Sequence, residues 1–272
     1  MPVERHSPQP GSSVYYAIRF APRRHRPALT AAYEIVHAIC SVPREIADPG
    51  VAQAKLNWWR SEISQASHGA PQHPATQRLL AQLGASASPC WSALQACIAA
   101  TESGAQQSRY LDETALLRQI ESSASGLGLA LATILSPGTT APGSSTETAV
   151  GLVQTMRRLG RDARHGDLLI PINDLQQFDV KAHEILQLKP GLEDEPRYLA
   201  LMRHQAERAR QHLAQARASL PEQPRPLRRF HTALLAHNVE LLDAIEANRF
   251  AVLNQHIALT PVRKLWLAWR AR

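Results

Sequence analysis

The 272-residue sequence predicts an all-α protein. Residues that favour helices, such as alanine, leucine, glutamine and arginine, are abundant, and no run alternates β-branched and polar residues as a half-buried strand would. Apolar residues instead recur every three or four positions, which places them on one face of a helix. With 44% hydrophobic residues the chain can bury a large core, so we expect a folded protein rather than a disordered one.

The first helices have the clearest limits. Apolar residues at helical spacing predict a helix from Arg26 to Ile39. A second helix is predicted to begin at Asp48 and Pro49, because aspartate accepts hydrogen bonds from free amides and proline suits a first turn. We expect Trp58 and Trp59 of this helix both to pack in the core. Further helices are predicted at about 74–84, 88–103, 113–135, 146–163, 194–219, 226–246 and 261–270.

The segment from 136 to 145 (SPGTTAPGSS) has the strongest loop character. It joins two helical stretches of similar composition without a shift in charge, so we interpret it as a connection inside one domain. The prediction is therefore a single domain over residues 1–272, with residues 1–12 flexible.

The charge of the chain favours anionic partners. Lysine and arginine number 30 against 23 aspartates and glutamates, which gives a formal net charge of +7. Phosphates, nucleic acid and an acidic lipid surface all fit that charge. No nucleic-acid-binding module is recognisable, so nucleic-acid binding is not expected. The fingerprints of nucleotide hydrolysis, zinc proteolysis and serine hydrolysis are absent from the sequence.

The expected location is the cytoplasm. No apolar run approaches the 18 to 20 residues of a membrane-spanning helix, and residues 1–10 are polar. The last predicted helix has an apolar face and several basic residues, which fits peripheral contact with the inner membrane or docking on the rest of the protein. Cys40, Cys90 and Cys97 form no metal or disulfide pattern and are predicted to be buried.

Several strings resemble the squalene/phytoene synthase family, and within it the bacterial presqualene diphosphate synthases of hopanoid biosynthesis. They are GSSVYY at 11–16, DPGVA at 48–52, KLNWWRSEI at 55–63, RYLD at 109–112, GRDARHG at 160–166, followed by Ile170 and Pro171, and IALTPVRKLW at 257–266. Since they are spread over nearly the whole chain, the resemblance implies a single isoprenoid-synthase helical bundle around a central cavity.

The resemblance also implies a metal-dependent reaction. Enzymes of this family join two prenyl diphosphates head to head, and Mg²⁺ neutralises the departing diphosphate. The family supplies the metal ligands from two D-x-x-x-D segments on facing helices, because residues four apart project from one helical face.

The metal ligands that the resemblance implies are mostly absent here. An ungapped count from Trp58 places the first aspartate cluster on residues 40–44, which read CSVPR. In the second segment the leading aspartate falls on Arg158, a neighbouring glutamate falls on Arg161, and only Asp162 remains as a remnant. Pro43 is expected to end or kink the first of these helices. No metal site is predicted.

Arginines replace the carboxylates at these positions, and they are candidate ligands for a diphosphate or another anion. The candidates are Arg44, Arg157, Arg158, Arg161 and Arg164. The alternative is a solvated helix face on which Asp162 and Glu147 act as counter-charges. If the resemblance holds, the candidate cavity residues are Tyr15, Tyr16, His37, Cys40 and Gln154.

Two functions remain open at this point. The chain could be a non-catalytic binding, assembly or regulatory subunit of isoprenoid metabolism, with no cofactor and with a protein partner such as an intact paralogue. The alternative is an active prenyltransferase that condenses two farnesyl diphosphates with Mg²⁺. The loss of metal ligands favours the first function. In either case a prenyl diphosphate or another small anion is the expected ligand.

Overall fold

The computed structural model describes residues 6–84, 88–107, 109–137 and 145–271, and within these ranges it contains twelve α-helices, short 3₁₀ turns and no β-strand. The helices are α1 (Ser13–Phe20), α2 (Arg26–Glu45), α3 (Pro49–Ser67), α4 (Pro74–Leu83), α5 (Ser88–Ala105), α6 (Glu113–Leu135), α7 (Ser145–Arg164), α8 (Ile172–Gln177), α9 (Ala182–Leu186), α10 (Pro196–Ala218), α11 (Arg225–Ala247) and α12 (Pro261–Arg270). The predicted all-α class is confirmed. None of these helices combines the length and apolarity needed to cross a bilayer.

The predicted helix starts agree with the capping chemistry. The Asp48 carboxylate accepts a hydrogen bond from the Val51 amide at 2.8 Å, and Pro49 occupies the first turn of α3. The short helices α1, α8 and α9 were not predicted, because segments of five to eight residues show too little periodicity. Part of the loop-like segment, residues 138–144, lies outside the described residues.

Helix α2 extends beyond its predicted end. It passes through Pro43, which was expected to end or kink it, and it ends two residues later at Glu45. Proline removes the amide that would bond to the carbonyl four residues earlier, and its ring crowds that carbonyl. In the last turn of a helix that loss is small enough for the helix to continue, so Arg44 is still presented from α2.

Two apolar clusters form the core. The first contains residues of α1–α5, the C-terminal part of α6 and the N-terminal part of α11. The second contains residues of α7–α10, the N-terminal part of α6 and the C-terminal part of α11. Helices α6 and α11 contribute to both clusters and so connect them. That residues 1–272 form one domain stays a prediction.

The two tryptophans of α3 have different environments. Trp59 is buried in the first cluster, whereas Trp58 is 40% exposed and carries the Lys55 ammonium over its ring. The prediction that both pack in the core is wrong for Trp58, because adjacent residues point about 100° apart around a helix. Cys90 and Cys97 are buried as predicted, and Cys40 is half-buried.

The N-terminal segment lies against the helices from His6 onward. The Ser7 hydroxyl donates to the Glu34 carboxylate at 3.0 Å, and the same carboxylate pairs with Arg78 at 2.6 Å. Farther along, the Gly11 carbonyl accepts from the Lys264 ammonium at 2.8 Å. Residues 1–5 lie outside the described residues, and the flexibility of residues 1–12 stays a prediction.

Helix α7 approaches the backbone that follows α11 most closely at Gly160. A Cβ atom there would overlap the Leu253 carbonyl group, and the Gly160 amide donates to the Val252 carbonyl at 3.2 Å. Only glycine permits this approach, which places residues 252–256 beside α7.

We expect Gly160→Ala to lower the free energy of unfolding by about 1–3 kcal/mol, because the added methyl group meets backbone that cannot move freely. Chemical denaturation measures the change. Gly104→Ala is the matched control, since its Cβ would meet only the end of the flexible Gln119 side chain, and we expect it to stay within about 1 kcal/mol of the wild type. Equal stability of the two variants would contradict the close approach at Gly160.

Candidate anion-binding site

The arginines of α7 lie at the edge of its buried face. Leu152, Met156 and Leu159 pack into the second apolar cluster. Arg157 and Arg158 are half-buried beside that face, and Arg161 is exposed. The amphipathic pattern that folds α7 therefore also determines how far each guanidinium group reaches into solvent.

A cavity of about 150 Å³ separates these arginines from residues 252–256. It is lined by Arg157, Arg158, Arg161, Arg164, Val252, Leu253, Asn254, Gln255 and His256. One water needs roughly 10–15 Å³ of such space, so the cavity has room for a small anion.

Arg164 holds this segment in place. Its guanidinium group donates to the Gly160 carbonyl at 2.9 Å and to the Leu253 carbonyl at 3.2 Å. On the other side of the segment, the Glu193 carboxylate accepts from the Leu253 amide at 2.7 Å and from Asn254 at 2.8 Å. Arg164 therefore connects α7 to the 252–256 segment through two carbonyl groups. Its contact with an anion stays a prediction.

Asp162 is the buried carboxylate nearest to these cations. It is 3% exposed, and one carboxylate oxygen lies 3.7 Å from Arg158 Nε while the other lies 3.7 Å from Arg161 Nε. Both separations are too long for hydrogen bonds. Buried Arg157 Nε, Arg158 Nε and Asp162 Oδ2 have no hydrogen-bond partner among the described residues.

Arg44 brings another positive charge from α2. Burial, followed by the Arg44 charge, lowers the pKa of Arg158 to about 10, while Asp162 acts in the opposite direction. Arg158 therefore remains charged at neutral pH. The Arg44 charge also acts on Asp167, whose pKa is raised by burial and by Asp162.

We call Arg44, Arg157, Arg158 and Arg161 the arginine cluster. The structure brings the charges of these four predicted residues, from α2 and α7, within electrostatic reach of one another and of Asp162 and Asp167. Positive charge exceeds negative charge in this group. No carboxylate in the described part of the chain pairs with Arg157 within 4 Å.

The donor set does not fit the magnesium ions that the family resemblance implies. Mg²⁺ prefers several oxygen ligands, usually carboxylates and waters. Here Asp162 is flanked by Arg158 and Arg161, and Arg44 stands where a facing aspartate is expected. No group of three or more His, Cys, Asp or Glu side chains that could hold a metal occurs within the described residues.

None of the five predicted cavity residues lines the 150 Å³ cavity. Two of them, His37 and Cys40, lie near the Arg44 charge. His37 is near Arg44 and Arg161, and its Nδ1 lies 3.1 Å from His6 Nδ1. Burial and His6 lower the pKa of His37. Cys40 accepts a hydrogen bond from the Thr101 hydroxyl at 3.7 Å, and burial raises the pKa of its thiol.

Gln154 and the two tyrosines make other contacts. The Gln154 amide donates to Asn238 at 2.8 Å, which joins α7 to α11. Tyr15 and Tyr16 lie half-buried on α1 with their rings edge to face at 5.3 Å. Their roles as cavity residues stay predictions.

Sequence reasoning missed Asp167 and the 252–256 segment. Asp167 follows Asp162 by five residues, so a count of carboxylates beyond the D-x-x-x-D spacing would have found it. The 252–256 segment lies about ninety residues from α7 in sequence, and no local pattern marks it. His256 of that segment has its pKa lowered by burial and by Arg157 and Arg161, which keeps its imidazole neutral at pH 7.

Residues 7–265 match the family model for squalene/phytoene synthase. The chain therefore belongs to the squalene/phytoene synthase family, and the predicted resemblance is confirmed.

Curated relatives match over shorter segments. The chain is 31% identical to the 15-cis-phytoene synthase of Synechocystis sp. over 122 residues, which are 43% of this chain and 35% of that protein. It is 30% identical to the 15-cis-phytoene synthase of Synechococcus elongatus over 132 residues, which are 46% of this chain and 42% of that protein. The matches thus span well under half the length of these relatives.

Solved structures match over most of the chain. The squalene synthase HpnC from Alicyclobacillus acidocaldarius superposes with a TM-score of 0.73 at 20% identity, covering 86% of this chain and 88% of that one. A dehydrosqualene synthase in complex with a ligand gives a TM-score of 0.77 at 17% identity, covering 95% and 90%. At these identities the similarity shows that the fold is shared.

Proposed function

We propose that this chain binds a prenyl diphosphate, or a small anion with the same diphosphate chemistry, without magnesium. In this proposal it has lost Mg²⁺-dependent prenyl transfer and acts as a binding, assembly or regulatory subunit in isoprenoid metabolism, together with a protein partner such as an intact paralogue. The observation that carries the proposal is the half-buried Arg158, which lies beside Arg44 at the position where the resemblance implies the leading aspartate, and whose Nε has no hydrogen-bond partner.

Charge balance supports the anion. A buried guanidinium group is costly unless an acceptor compensates it, and the two carboxylates near the arginine cluster are too few to satisfy every cation. Phosphate oxygens accept two parallel hydrogen bonds from one guanidinium group. A diphosphate in the cavity beside Arg157 and Arg158 would supply the missing acceptors.

The same charges disfavour catalysis by the family mechanism. Arginine keeps its proton, so Arg158 and Arg44 are permanent cations where Mg²⁺ would have to bind. Without the metal, the leaving diphosphate loses several kcal/mol of transition-state stabilisation, and each 1.36 kcal/mol is about tenfold in rate.

Two observations favour the alternative of an active prenyltransferase. The family model covers residues 7–265, and the Asp162 carboxylate remains on α7 close to Asp167. Assays of binding and turnover distinguish the two functions.

The first test is binding without metal. We expect isothermal titration calorimetry to show saturable binding of inorganic diphosphate and farnesyl diphosphate in EDTA, with an affinity that falls as salt is added because the contact is between charges. Arg158→Gln should weaken binding by about tenfold or more, since charged hydrogen bonds contribute roughly 1.5–3 kcal/mol.

Arg203→Gln is the matched control for that test. Arg203 is exposed on α10, and its substitution changes the net charge by the same amount. Absence of saturable binding in EDTA, or equal weakening by the two variants, would show that the arginine cluster is only a solvated helix face.

The second test is turnover. Purified protein incubated with farnesyl diphosphate, Mg²⁺ and NADPH should form presqualene diphosphate and squalene at least about a thousandfold more slowly than an intact family member assayed in parallel, because metal stabilisation is lost. Product analysis by mass spectrometry gives the rate. Turnover comparable to that of the intact enzyme would refute the loss of catalysis, whatever the binding result.

A further inference from the structure

The last helix, α12, packs on the protein through a narrow face. It contacts α11 and α1, and Lys264 and Ala268 are buried there. The Lys264 ammonium donates to the Gly11 carbonyl at 2.8 Å, and the Lys264 carbonyl lies 2.7 Å from Nε2 of His237. These contacts fix the rotation of α12 about its own axis.

The apolar face of α12 consequently points to solvent. Val262 is 76% exposed, Leu265 42%, Trp266 39% and Trp269 57%. Their spacing places them along one side of the helix, opposite Lys264 and Ala268. Single exposed apolar residues are common on protein surfaces, but a continuous stripe with two tryptophans marks an interaction surface.

Basic residues border this stripe. The guanidinium carbons of Arg263 and Arg270 lie 4.9 Å and 5.2 Å from the ring centre of Trp266. The helix contains no acidic residue, but Arg263 pairs with Glu240 of α11 at 2.8 Å. The whole chain has a net charge of +7. Tryptophan with neighbouring arginine is typical of helices that lie in the interface of an anionic bilayer.

The charges also argue against a second copy of the chain as the occupant. In a symmetric dimer the same patch would face itself, which would bring Arg263 and Arg270 of both copies together. An anionic lipid surface instead compensates Arg270 and the net positive charge of the chain. With ten residues, α12 is long enough to lie on a bilayer and too short to span one.

We propose that α12 docks this protein on an anionic lipid bilayer, with Val262, Leu265, Trp266 and Trp269 inserted among the headgroups. The docking itself does not depend on whether the arginine cluster binds a diphosphate.

Flotation with lipid vesicles tests the proposal. The protein should float with phosphatidylcholine vesicles that contain about 30% phosphatidylglycerol, and bind pure phosphatidylcholine far more weakly, because the anionic lipids attract Arg270 and the net positive charge of the chain. The double variant Trp266→Gln/Trp269→Gln should lower the partition coefficient by about tenfold or more, since its apolar insertion is lost. Val262→Gln, at the most exposed position, should lower it to a smaller extent.

Trp58→Gln is the matched control, since Trp58 has nearly the same exposure as Trp266 and lies on α3. It should float as the wild type does. Circular dichroism and diphosphate titration establish that each variant is folded. A variant that no longer floats but still binds diphosphate as the wild type does separates this proposal from the proposed function. Three results would overturn the proposal. In the first, the wild type does not float with anionic vesicles at all, and in the second, both α12 variants float as the wild type does. The third is a solution dimer that only the double variant dissociates.

Discussion

Permanent positive charges held partly out of water impose the main constraint on this protein. Arg157 and Arg158 are half-buried on α7, Arg44 approaches from α2, and the buried carboxylate of Asp162 reaches Arg158 and Arg161 only at 3.7 Å. A guanidinium group does not neutralise itself by losing its proton at physiological pH, so an acceptor must compensate it. In the function proposed above, an anion in the cavity beside α7 supplies that acceptor. The same positive charges oppose the binding of Mg²⁺.

The surrounding backbone maintains that arrangement. Gly160 lets residues 252–256 approach α7, and Arg164 secures them through the Gly160 and Leu253 carbonyl groups. Helix α2 continues through Pro43 and so presents Arg44 toward α7. The family fold is thus retained, and α7 carries three arginines within reach of one buried carboxylate, Asp162.

Helical periodicity and capping predicted most of the fold, because they are local properties. Asp48 and Pro49 mark the start of α3 in the sequence as they do in the structure. Features that depend on tertiary packing were harder to predict. The sequence identified the apolar stripe of α12, but its direction depends on the buried contacts of Lys264 with Gly11 and His237. Burial of Trp59 but not Trp58 depends likewise on which side of α3 meets the core.

The candidate site was predictable in part. The sequence shows Arg158 where the family resemblance implies an aspartate, and the structure places the Arg44 charge close to it. The wall formed by residues 252–256 and the use of Arg164 to hold that wall were not predictable, because both depend on a contact between segments about ninety residues apart. Long-range contacts of this kind determine which members of a basic run are available to a ligand.

A crystal structure of the protein with a non-hydrolysable farnesyl diphosphate analogue and Mn²⁺, recorded at the manganese absorption edge, would test the central claim most directly. Mn²⁺ takes the oxygen ligands that Mg²⁺ prefers and has an anomalous signal that identifies it. The expected result is a diphosphate bound by Arg157, Arg158 and Arg44 with no anomalous peak within coordination distance of its oxygens. Manganese ions bridging the diphosphate to Asp162 and Asp167 would contradict the account.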